Sequence, residues 1–320
     1  MSFKVIFTDY DYPSIDIERE VLSEIDCEIV ELQTKDESRL ANELTDADAV
    51  IVEYSPITSK VISNMQKCKV IARYGIGVDM IDLSAATAKN IPVCNVPDYC
   101  LDEVADHAMA LILSLNRKII KLNDSVKNGI WDVFSVGKPI YRLASQVLGL
   151  VGFGKIPQNL YIKAKPLFGK IIAYDPYLSQ ETINKFNLSI VTFYQLIRTS
   201  DYISIHCPLV EETKHLFRES QFQLMKPTSY IINTSRGSII NTTALYNALI
   251  NKQIAGAALD VLEQEPPGMN NALLKLDNTI ITPHASFYSE SSIIELKRKA
   301  ALAVLKVLKG ENPINVVNKL

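Results

Sequence analysis

Three charged or titratable side chains in the C-terminal half of the sequence have types that could act together on a carbonyl compound. Arg236, Glu265 and His284 each come shortly after an apolar run of the kind that forms a buried strand. Open α/β sheets bind their ligands at the carboxyl ends of the strands. The positions of these residues therefore predict that all three lie at the binding edge of one sheet.

The chemistry that suits this set is the reversible reduction of a 2-oxo acid, which needs a cation for the carboxylate, a proton donor for the carbonyl oxygen and a hydride donor. The planar fork of an arginine binds a carboxylate with two hydrogen bonds and keeps its charge. A histidine exchanges protons near neutral pH. We therefore assign Arg236 to the carboxylate and His284 to the proton, with Glu265 orienting the imidazole and favouring its protonated form.

Each of these residues also has a simpler interpretation. Arg236 could form a surface ion pair, Glu265 could be a solvated loop charge, and His284 could cap a helix before Ser286. What favours the catalytic interpretation is that all three follow apolar strands.

A glycine turn earlier in the chain predicts where the hydride donor binds. The apolar run 147–151 leads into Gly152 and Gly154 and then into a helical pattern, which brings backbone N–H groups and the positive end of a helix to a pyrophosphate. Pro157 stands where a third glycine is usual. Proline is tolerated in the first turn of a helix. The third glycine normally allows the helix to pack closely on the strand. Whether the helix packs as closely with Pro157 is left open by the sequence.

Asp175 ends the next predicted strand, about 20 residues after the glycine turn. A carboxylate at this point accepts hydrogen bonds from the ribose hydroxyls of NAD and repels the 2′-phosphate of NADP. The alternative is an aspartate that only caps Pro176 and Tyr177 at the strand end. Because Asp175 follows this glycine turn, we predict that it binds the ribose and that the cofactor is NAD.

The elements that must position these residues alternate between short β-branched runs and amphipathic helical patterns, which is typical of parallel α/β sheets. Strands are predicted in a first set at 4–8, 27–31, 49–52, 69–72 and 92–95, and in a second set at 147–151, 171–174, 202–205, 230–233, 256–259 and 279–281. Helical spacing predicts one long helix from Leu101 to Lys127 and another from Ser289 to Leu308. The last helix could pack back on the first domain and make that domain discontinuous.

The composition is that of a globular protein with two domains. The chain has 320 residues, of which 48% are hydrophobic, and a net charge of −3. It has no block of lysine and arginine and no apolar stretch of roughly 20 residues, so neither a nucleic-acid partner nor a membrane span is expected. Five scattered cysteines and a start without a signal-peptide pattern favour reduced thiols in the cytoplasm. No metal site is predicted.

Seven segments, in order along nearly the whole chain, resemble the D-isomer-specific 2-hydroxyacid dehydrogenases, and within them the subgroup similar to C-terminal-binding proteins and phosphoglycerate dehydrogenases. They are RYGIGVD at 73–79, CNVPDY at 94–99, EVAD at 103–106, HCPL at 206–209, NTSRG at 233–237, ALDVLEQEP at 258–266 and PH at 283–284. The resemblance implies an α/β fold of two doubly wound parallel-sheet domains with the active site in a cleft between them. The flavodoxin-like substrate domain would comprise residues 1–98 and 288–320, and the Rossmann NAD domain residues 99–287.

The same resemblance implies roles for individual residues. It makes Arg236, Glu265 and His284 the catalytic set and puts Asp260 on the nicotinamide side. The substrate-binding residues would be Arg73, Tyr74, Gly75, Ile76 and Arg236, with backbone N–H groups around Gly75 and Ile76 holding the carboxylate. The residues expected to bind NAD are Gly152, Phe153, Gly154, Lys155, Ile156, Asp175, His206, Cys207, Pro208, Thr213, Thr234, Ser235, Arg236, Asp260 and His284.

Other residues keep two interpretations. His206 could be a structural loop histidine, since backbone contacts alone could serve the cofactor there, and Arg73 could pair with a nearby acid instead of touching substrate. His107 and His215 lie in helical patterns without evident partners, and both are assigned structural roles.

The segment Leu101–Tyr141 resembles the arm through which such enzymes form dimers, and a homodimer joined through the NAD domain is expected. Trp131 and Phe134 could be its apolar anchors. The alternative is that both side chains pack in the core of one subunit.

The substrate is expected to be a small 2-oxo or 2-hydroxy acid without a phosphate group. The loop Glu53–Pro56, where phosphate-specific relatives would offer cations, has no lysine or arginine until Lys60. Four aromatic residues could wall a less polar pocket or simply pack the interdomain hinge: Tyr54, Tyr74, Phe287 and Tyr288. The rival functions are an NAD-binding regulator, a phosphoglycerate dehydrogenase and a phosphite dehydrogenase. Formate-oxidising relatives typically place glutamine where Glu265 stands.

Overall fold

The computed structural model describes residues 2–320, and the chain divides into two compact units. The first holds the chain up to Cys100 together with Ser289–Leu320, and the second holds Leu101–Tyr288. Each unit contains its own parallel β-sheet. The predicted α/β class with two parallel sheets is confirmed.

The first unit has a sheet of five strands. The strands are β1 (Phe3–Phe7), β2 (Cys27–Glu31), β3 (Ala49–Val52), β4 (Val70–Arg73) and β5 (Val93–Cys94). Their spatial order is β2-β1-β3-β4-β5, which is the flavodoxin-like order. β3 and β4 are buried along their whole length, which explains why parallel strands read in sequence as continuous apolar runs.

The second unit has a sheet of seven strands. They are β6 (Val147–Val151), β7 (Lys170–Tyr174), β8 (Ser189–Ile190), β9 (Tyr202–Ile205), β10 (Tyr230–Asn233), β11 (Gly256–Leu259) and β12 (Thr279–Ile281). Their order is β12-β11-β10-β9-β6-β7-β8, so the first strand of the unit lies inside the sheet and the chain winds outward in both directions, as in a Rossmann sheet. The two-residue edge strand β8 was not predicted, because it is too short to show a pattern.

Thirteen α-helices connect and flank the strands of residues 2–320. They are α1 (Asp16–Leu22), α2 (Glu37–Glu43), α3 (Ser59–Asn64), α4 (Leu83–Ala88), α5 (Leu101–Arg117), α6 (Ile119–Lys127), α7 (Val133–Val136), α8 (Lys155–Ala164), α9 (Gln180–Phe186), α10 (Phe193–Thr199), α11 (Glu219–Phe222), α12 (Thr242–Ile250) and α13 (Glu290–Leu308). Short 3-10 turns occur at Leu143–Ser145, Gly237–Ile239 and Ala272–Lys275.

The single helix predicted from Leu101 to Lys127 is wrong, because the chain breaks into α5 and α6 at Lys118. This residue has a left-handed backbone with φ of +57°. Its ammonium group bonds to the hydroxyl of Tyr230 and lies 4.7 Å from the centroid of that ring. The amphipathic pattern continues across the break, so the sequence alone does not reveal it.

Helix α13 closes the first unit. The hydroxyl of Ser289 accepts a hydrogen bond from Ser292 N at 2.9 Å and caps its start. The helix packs on α1, β3 and β4, and it buries Leu296, Ala300 and Val304. Burial of this apolar face holds the end of the chain against the unit formed by its beginning.

The segment Leu101–Tyr141 of the second unit, here called the arm, carries an exposed apolar stretch over residues 119–141. Trp131 is 88% exposed and Phe134 is 71% exposed. Other large apolar side chains of the arm are also exposed: Ile119, Ile120, Val126, Ile130, Val133 and Tyr141. Packing of Trp131 and Phe134 in the core of their own subunit, the alternative considered from the sequence, is therefore excluded.

Two kinds of feature are absent from the part of the chain that the structure describes. Among residues 2–320, no helix combines the length and apolar character that a bilayer span requires. The same residues contain no group of three or more His, Cys, Asp or Glu side chains arranged to hold a metal ion.

Candidate active site

The predicted residues of the second unit follow the carboxyl ends of six adjacent strands. In spatial order from β12 to β7, the residues that follow the strands are His284, then Asp260 and Glu265, then Thr234 and Arg236, then His206, then Gly152, and finally Asp175. All six strands are parallel, so these residues lie along one edge of the sheet. Neighbouring strands are roughly 5 Å apart, which gives this edge the extended form that a dinucleotide needs.

Glu265 and His284 form a hydrogen-bonded pair. His284 Nδ1 lies 2.7 Å from Glu265 Oε2, and the other carboxylate oxygen accepts a hydrogen bond from Leu262 N at 2.8 Å. The ring of Phe287 packs edge-on against the imidazole, with the centroids 6.1 Å apart. The bond at Nδ1 orients the ring, so a proton exchanged with a substrate would pass through Nε2.

Asp260 holds the segment that carries His284. Its carboxylate accepts hydrogen bonds from the backbone N–H groups of Ala285 and Ser286, each at 2.9 Å, and its side chain is fully buried. The backbone of His284 donates to Asp260 O at 2.8 Å. The carboxylate predicted to face the nicotinamide thus binds the loop beside it, which is a contact that sequence reasoning missed.

Arg236 lies in the turn after β10, and the buried side chain of Asn233 organises that turn. Asn233 Nδ2 donates to Arg236 O at 2.9 Å, and Asn233 Oδ1 accepts from Ser235 N at 3.0 Å. Arg236 Nη1 donates to Ser235 O at 2.8 Å. A Cβ at Gly237 would stand 1.9 Å from the backbone of Leu262. Only glycine lets the turn of Arg236 lie directly on the loop of Glu265.

The glycine turn has the geometry predicted for a pyrophosphate site. Gly152 has φ of +88°, and a Cβ there would stand 2.9 Å from Cys207 N, so the turn needs glycine for both reasons. Gly154 directly precedes α8, and a Cβ at this glycine would meet no atom within 4 Å. Pro157 is buried in the first turn of the helix, which forms despite the missing third glycine.

Asp175 links the end of β7 to the glycine turn. Its Oδ2 accepts a hydrogen bond from Phe153 N at 2.9 Å, and its Oδ1 accepts one from Tyr177 N at 2.9 Å. The capping contact considered as an alternative is therefore present. Each carboxylate oxygen has a second lone pair, so these bonds leave the carboxylate able to accept from ribose hydroxyls.

The loop after β9 is arranged by its own polar groups. Burial lowers the pKa of His206 to about 3, and its Nε2 lies 2.8 Å from Ser204 Oγ. Burial likewise raises the pKa of the Cys207 thiol to about 11. Thr213 Oγ1 donates to Pro208 O at 2.6 Å and shapes the loop. His206 is therefore neutral at physiological pH, which leaves it unsuited to the proton transfer assigned to His284.

Thr234 presents a buried hydroxyl at this edge that a bound ligand could satisfy. Its hydroxyl is buried and has no hydrogen-bond partner among residues 2–320. A buried polar atom without a partner costs about 1–3 kcal/mol unless a ligand or water satisfies it. The neighbouring Ser235 hydroxyl is already engaged with Cys207 O at 2.5 Å. The residues of the edge thus fit a bound dinucleotide.

Two further predicted cofactor residues lie at the start of α8. Lys155 is exposed as its first residue, and Ile156 is half-buried beside it. Phe153 is completely buried, so a contact from it would come from its backbone.

In the first unit, the predicted substrate residues follow β4. Gly75 has φ of +136°, and a Cβ at this glycine would stand 1.4 Å from Arg73 Nη1. Gly75 N donates to Arg73 O at 2.9 Å, so backbone donation to a substrate would fall to Ile76. The Tyr74 hydroxyl donates to Glu18 Oε1 at 2.6 Å inside the unit, so its buried ring does not form a pocket wall.

A cation that the sequence did not predict lies beside the Glu53–Pro56 loop. Lys35 Nζ lies 5.1 Å from the centroid of the Tyr54 ring, and Arg73 Cζ lies 5.9 Å from the same centroid. Glu53, next in the chain, is buried and accepts a hydrogen bond from Asp11 N at 2.8 Å. The loop therefore has no lysine or arginine of its own, but cationic side chains from other segments lie next to it.

Comparison with known proteins shows the family. The model of the D-isomer specific 2-hydroxyacid dehydrogenase NAD binding domain matches residues 109–286. A glyoxylate reductase of Thermococcus litoralis is 38% identical over 289 residues, which cover 88% of this chain and 86% of the relative. A D-3-phosphoglycerate dehydrogenase of Methanocaldococcus jannaschii is 38% identical over 318 residues, and this chain spans 98% of its own length but 59% of that relative.

The fold of this chain also matches solved structures. The crystal structure of D-lactate dehydrogenase from Aquifex aeolicus, complexed with NAD and lactic acid, has 29% sequence identity and a TM-score of 0.86, with 96% of each chain covered. Together with the matched NAD binding domain, these likenesses identify the chain as a member of the D-isomer specific 2-hydroxyacid dehydrogenase family.

Proposed function

We propose that this NAD-dependent 2-hydroxyacid dehydrogenase reduces small, unphosphorylated 2-oxo acids, with His284 as the proton donor and Arg236 as the carboxylate-binding group. The observation that carries the proposal is the 2.7 Å bond between His284 Nδ1 and Glu265 Oε2 at the carboxyl edge of the sheet. Arg236 follows the strand next to the one that leads to Glu265, in a turn that lies on the same loop.

The residues divide the reaction between them. Bound NADH supplies the hydride that adds to C2 of the 2-oxo acid. Protonated His284 gives its Nε2 proton to the carbonyl oxygen, so that C=O becomes CH–OH and the imidazole is left neutral. Glu265 keeps the ring oriented and stabilises its positive charge before transfer. Arg236 holds the substrate carboxylate through its planar fork.

A substrate panel tests the reaction. We expect NADH to be consumed with glyoxylate and other small 2-oxo acids, and Arg236→Gln to raise KM for the acid by more than about 10-fold, because a charge-assisted bidentate contact is lost. Lys170→Gln, at an exposed position at the amino end of β7, controls for the loss of one positive charge in the same unit. NAD binding without turnover of any 2-oxo acid would instead favour a regulatory protein.

We also propose Asp175 as the residue that selects NAD over NADP. Its carboxylate lies against the glycine turn through Phe153 N, at 2.9 Å, where it would repel a 2′-phosphate. In Asp175→Ala, the preference for NADH, measured as kcat/KM for NADH divided by kcat/KM for NADPH, should fall by about 10-fold or more. Comparable efficiency of the unmodified enzyme with both cofactors would contradict the assignment.

A phosphorylated substrate is the second candidate, and one observation favours it. Lys35 and Arg73 both lie near the Tyr54 ring, so two cations adjoin a loop that has none itself. Against it, Glu53 contributes a buried carboxyl group to the same loop. The comparison to make is kcat/KM for glyoxylate against 3-phosphohydroxypyruvate in wild type and Lys35→Gln. A preference for the phosphorylated acid that Lys35→Gln abolishes would replace our proposal with this one.

The proposed assembly is a homodimer joined through the arm, and the proposed location is the cytoplasm. Exposure of Trp131 and Phe134 supports the interface, since exposed aromatic side chains are typical anchors. All five cysteines are free, which supports a reducing compartment. Sedimentation should give a dimer for the wild type and a monomer for Trp131→Glu combined with Phe134→Glu. A wild-type monomer at all concentrations would exclude the dimer.

A further inference from the structure

His107, on helix α5, contacts the segment that carries the proposed proton donor. Its Nε2 lies 3.0 Å from Thr282 Oγ1 and 3.6 Å from Asp260 Oδ1. Thr282 directly follows β12 and precedes His284 by two residues. The sequence had suggested no partner for His107, because Thr282 is 175 positions away along the chain.

The directions of the hydrogen bonds follow from the number of protons available. Thr282 Oγ1 donates to Asp260 Oδ1 at 2.5 Å, and a hydroxyl has only one hydrogen to give. Thr282 must therefore accept from His107, which means that Nε2 of this ring carries a hydrogen. The result is a chain of two donors that ends on a fully buried carboxylate: His107 to Thr282 to Asp260.

Asp260, at which this chain of hydrogen bonds ends, holds the backbone of His284 and of the two residues that follow it. Asp260 receives the N–H groups of Ala285 and Ser286 through its carboxylate and that of His284 through its carbonyl oxygen. His284 has φ of +52°, a left-handed conformation that costs a residue other than glycine about 1–3 kcal/mol. A residue in this conformation persists only when its surroundings hold it, and Asp260 provides that hold.

We propose that His107 is a positioning residue for His284. By fixing the Thr282 hydroxyl, it orients the Asp260 carboxylate, which in turn holds the 282–286 segment so that His284 Nδ1 meets Glu265. The proposal rests on the proposed function, in which His284 is the proton donor. His107 acts only through its neighbours, and its side chain is 24% exposed on the helix.

The experiment compares two substitutions at one position. His107→Phe keeps an aromatic ring but removes the donor, whereas His107→Gln keeps a donor near the Nε2 position. At saturating NADH and 2-oxo acid, kcat should fall about 10-fold in His107→Phe, because one hydrogen bond that positions the acid is lost, and should recover to within about threefold of wild type in His107→Gln. KM for NADH should change less than about twofold.

Thr282→Val breaks the same chain at its second link and provides an independent measurement. If the three residues act in series, the double variant His107→Phe/Thr282→Val should lose no more kcat than the stronger single variant. Additive losses, or a wild-type kcat in folded His107→Phe, would overturn the proposal. A lowered Tm with unchanged kcat would show that the contact only stabilises the fold.

The same assay separates this proposal from the proposed function. If His284→Gln is inactive while His107→Phe is fully active, only the positioning role fails. If His284→Gln retains wild-type kcat, the assignment of the proton donor itself fails. Circular dichroism of each variant confirms that it is folded before its rate is compared.

Discussion

Two histidine–glutamate pairs lie in the second unit, and their glutamates are separated by a single residue. His284 Nδ1 is 2.7 Å from Glu265 Oε2, and His215 Nε2 is 2.5 Å from Glu263 Oε1. In each pair the second glutamate oxygen accepts a backbone N–H, from Leu262 in the first and from Thr242 in the second. The hydrogen bond between the side chains therefore does not distinguish a catalytic pair from a structural one.

What distinguishes the pairs is the position of each histidine in the fold. His284 follows a strand at the carboxyl edge of the sheet, and its backbone is held by Asp260. His215 lies in the loop between β9 and α11, and its N–H donates to Ser238 O at 2.8 Å. Through Glu263 it is tied to the first residue of α12. The pair of His215 therefore joins two surface segments, while that of His284 adjoins the proposed cofactor site.

The largest expected difference between the pairs is in the rate of the chemical step. His284→Gln should lower kcat by about 100- to 10,000-fold, the usual contribution of a general acid. His215→Gln should keep kcat within about threefold of wild type, since its ring is placed against no reacting group. Steady-state rates with NADH and a 2-oxo acid provide the comparison, and similar losses in the two variants would contradict the distinction.

The two glutamates should differ in their effect on kcat. Glu265→Gln replaces the carboxylate that bonds to His284 Nδ1, so the imidazole loses the partner that fixes its orientation. At neutral pH we expect a loss of about 10-fold in kcat. The matched variant Glu263→Gln should keep kcat within about threefold of wild type. Similar rates in the two variants would remove Glu265 from its proposed role.

The sequence predicted the strands well because buried parallel strands are continuous apolar runs. Seven of the predicted strands have the observed bounds, at 27–31, 49–52, 147–151, 202–205, 230–233, 256–259 and 279–281. The break at Lys118 was missed because the amphipathic pattern continues across it, and the contact that Lys118 makes there is with Tyr230, 112 positions away. Local periodicity does not contain that contact.

The sequence predicted which site residues follow the ends of strands, but it did not predict the contacts that their side chains make. Arg236, Glu265 and His284 follow strands that the sequence located, so their common edge could be inferred before their contacts were known. Side-chain direction was not predictable in this way. Tyr74 follows β4 as expected, but its hydroxyl bonds to Glu18 within the unit, because a helix from another part of the chain offers a buried carboxylate there.

The smallest expected difference between the pairs is in the free energy of unfolding. Hydrogen bonds from Thr242 and His215 hold the pKa of Glu263 below its usual value of 4.5 despite partial burial, so its ionised form stabilises the fold. Glu263→Gln should therefore be about 1 kcal/mol less stable than wild type near neutral pH.

This stability difference should itself depend on pH. A depressed carboxyl pKa contributes stability that is complete above the unfolded value of 4.5 and is lost as pH falls through the folded value. The free energies of unfolding of wild type and Glu263→Gln, measured with denaturant, should therefore converge as pH falls below 4.5 and the carboxylate becomes protonated. Glu211→Gln, at an exposed position of the same unit, controls for the loss of one surface charge. A gap between wild type and Glu263→Gln that persists undiminished at pH 3 would mean that packing, and not the ionised carboxylate, joins these two segments.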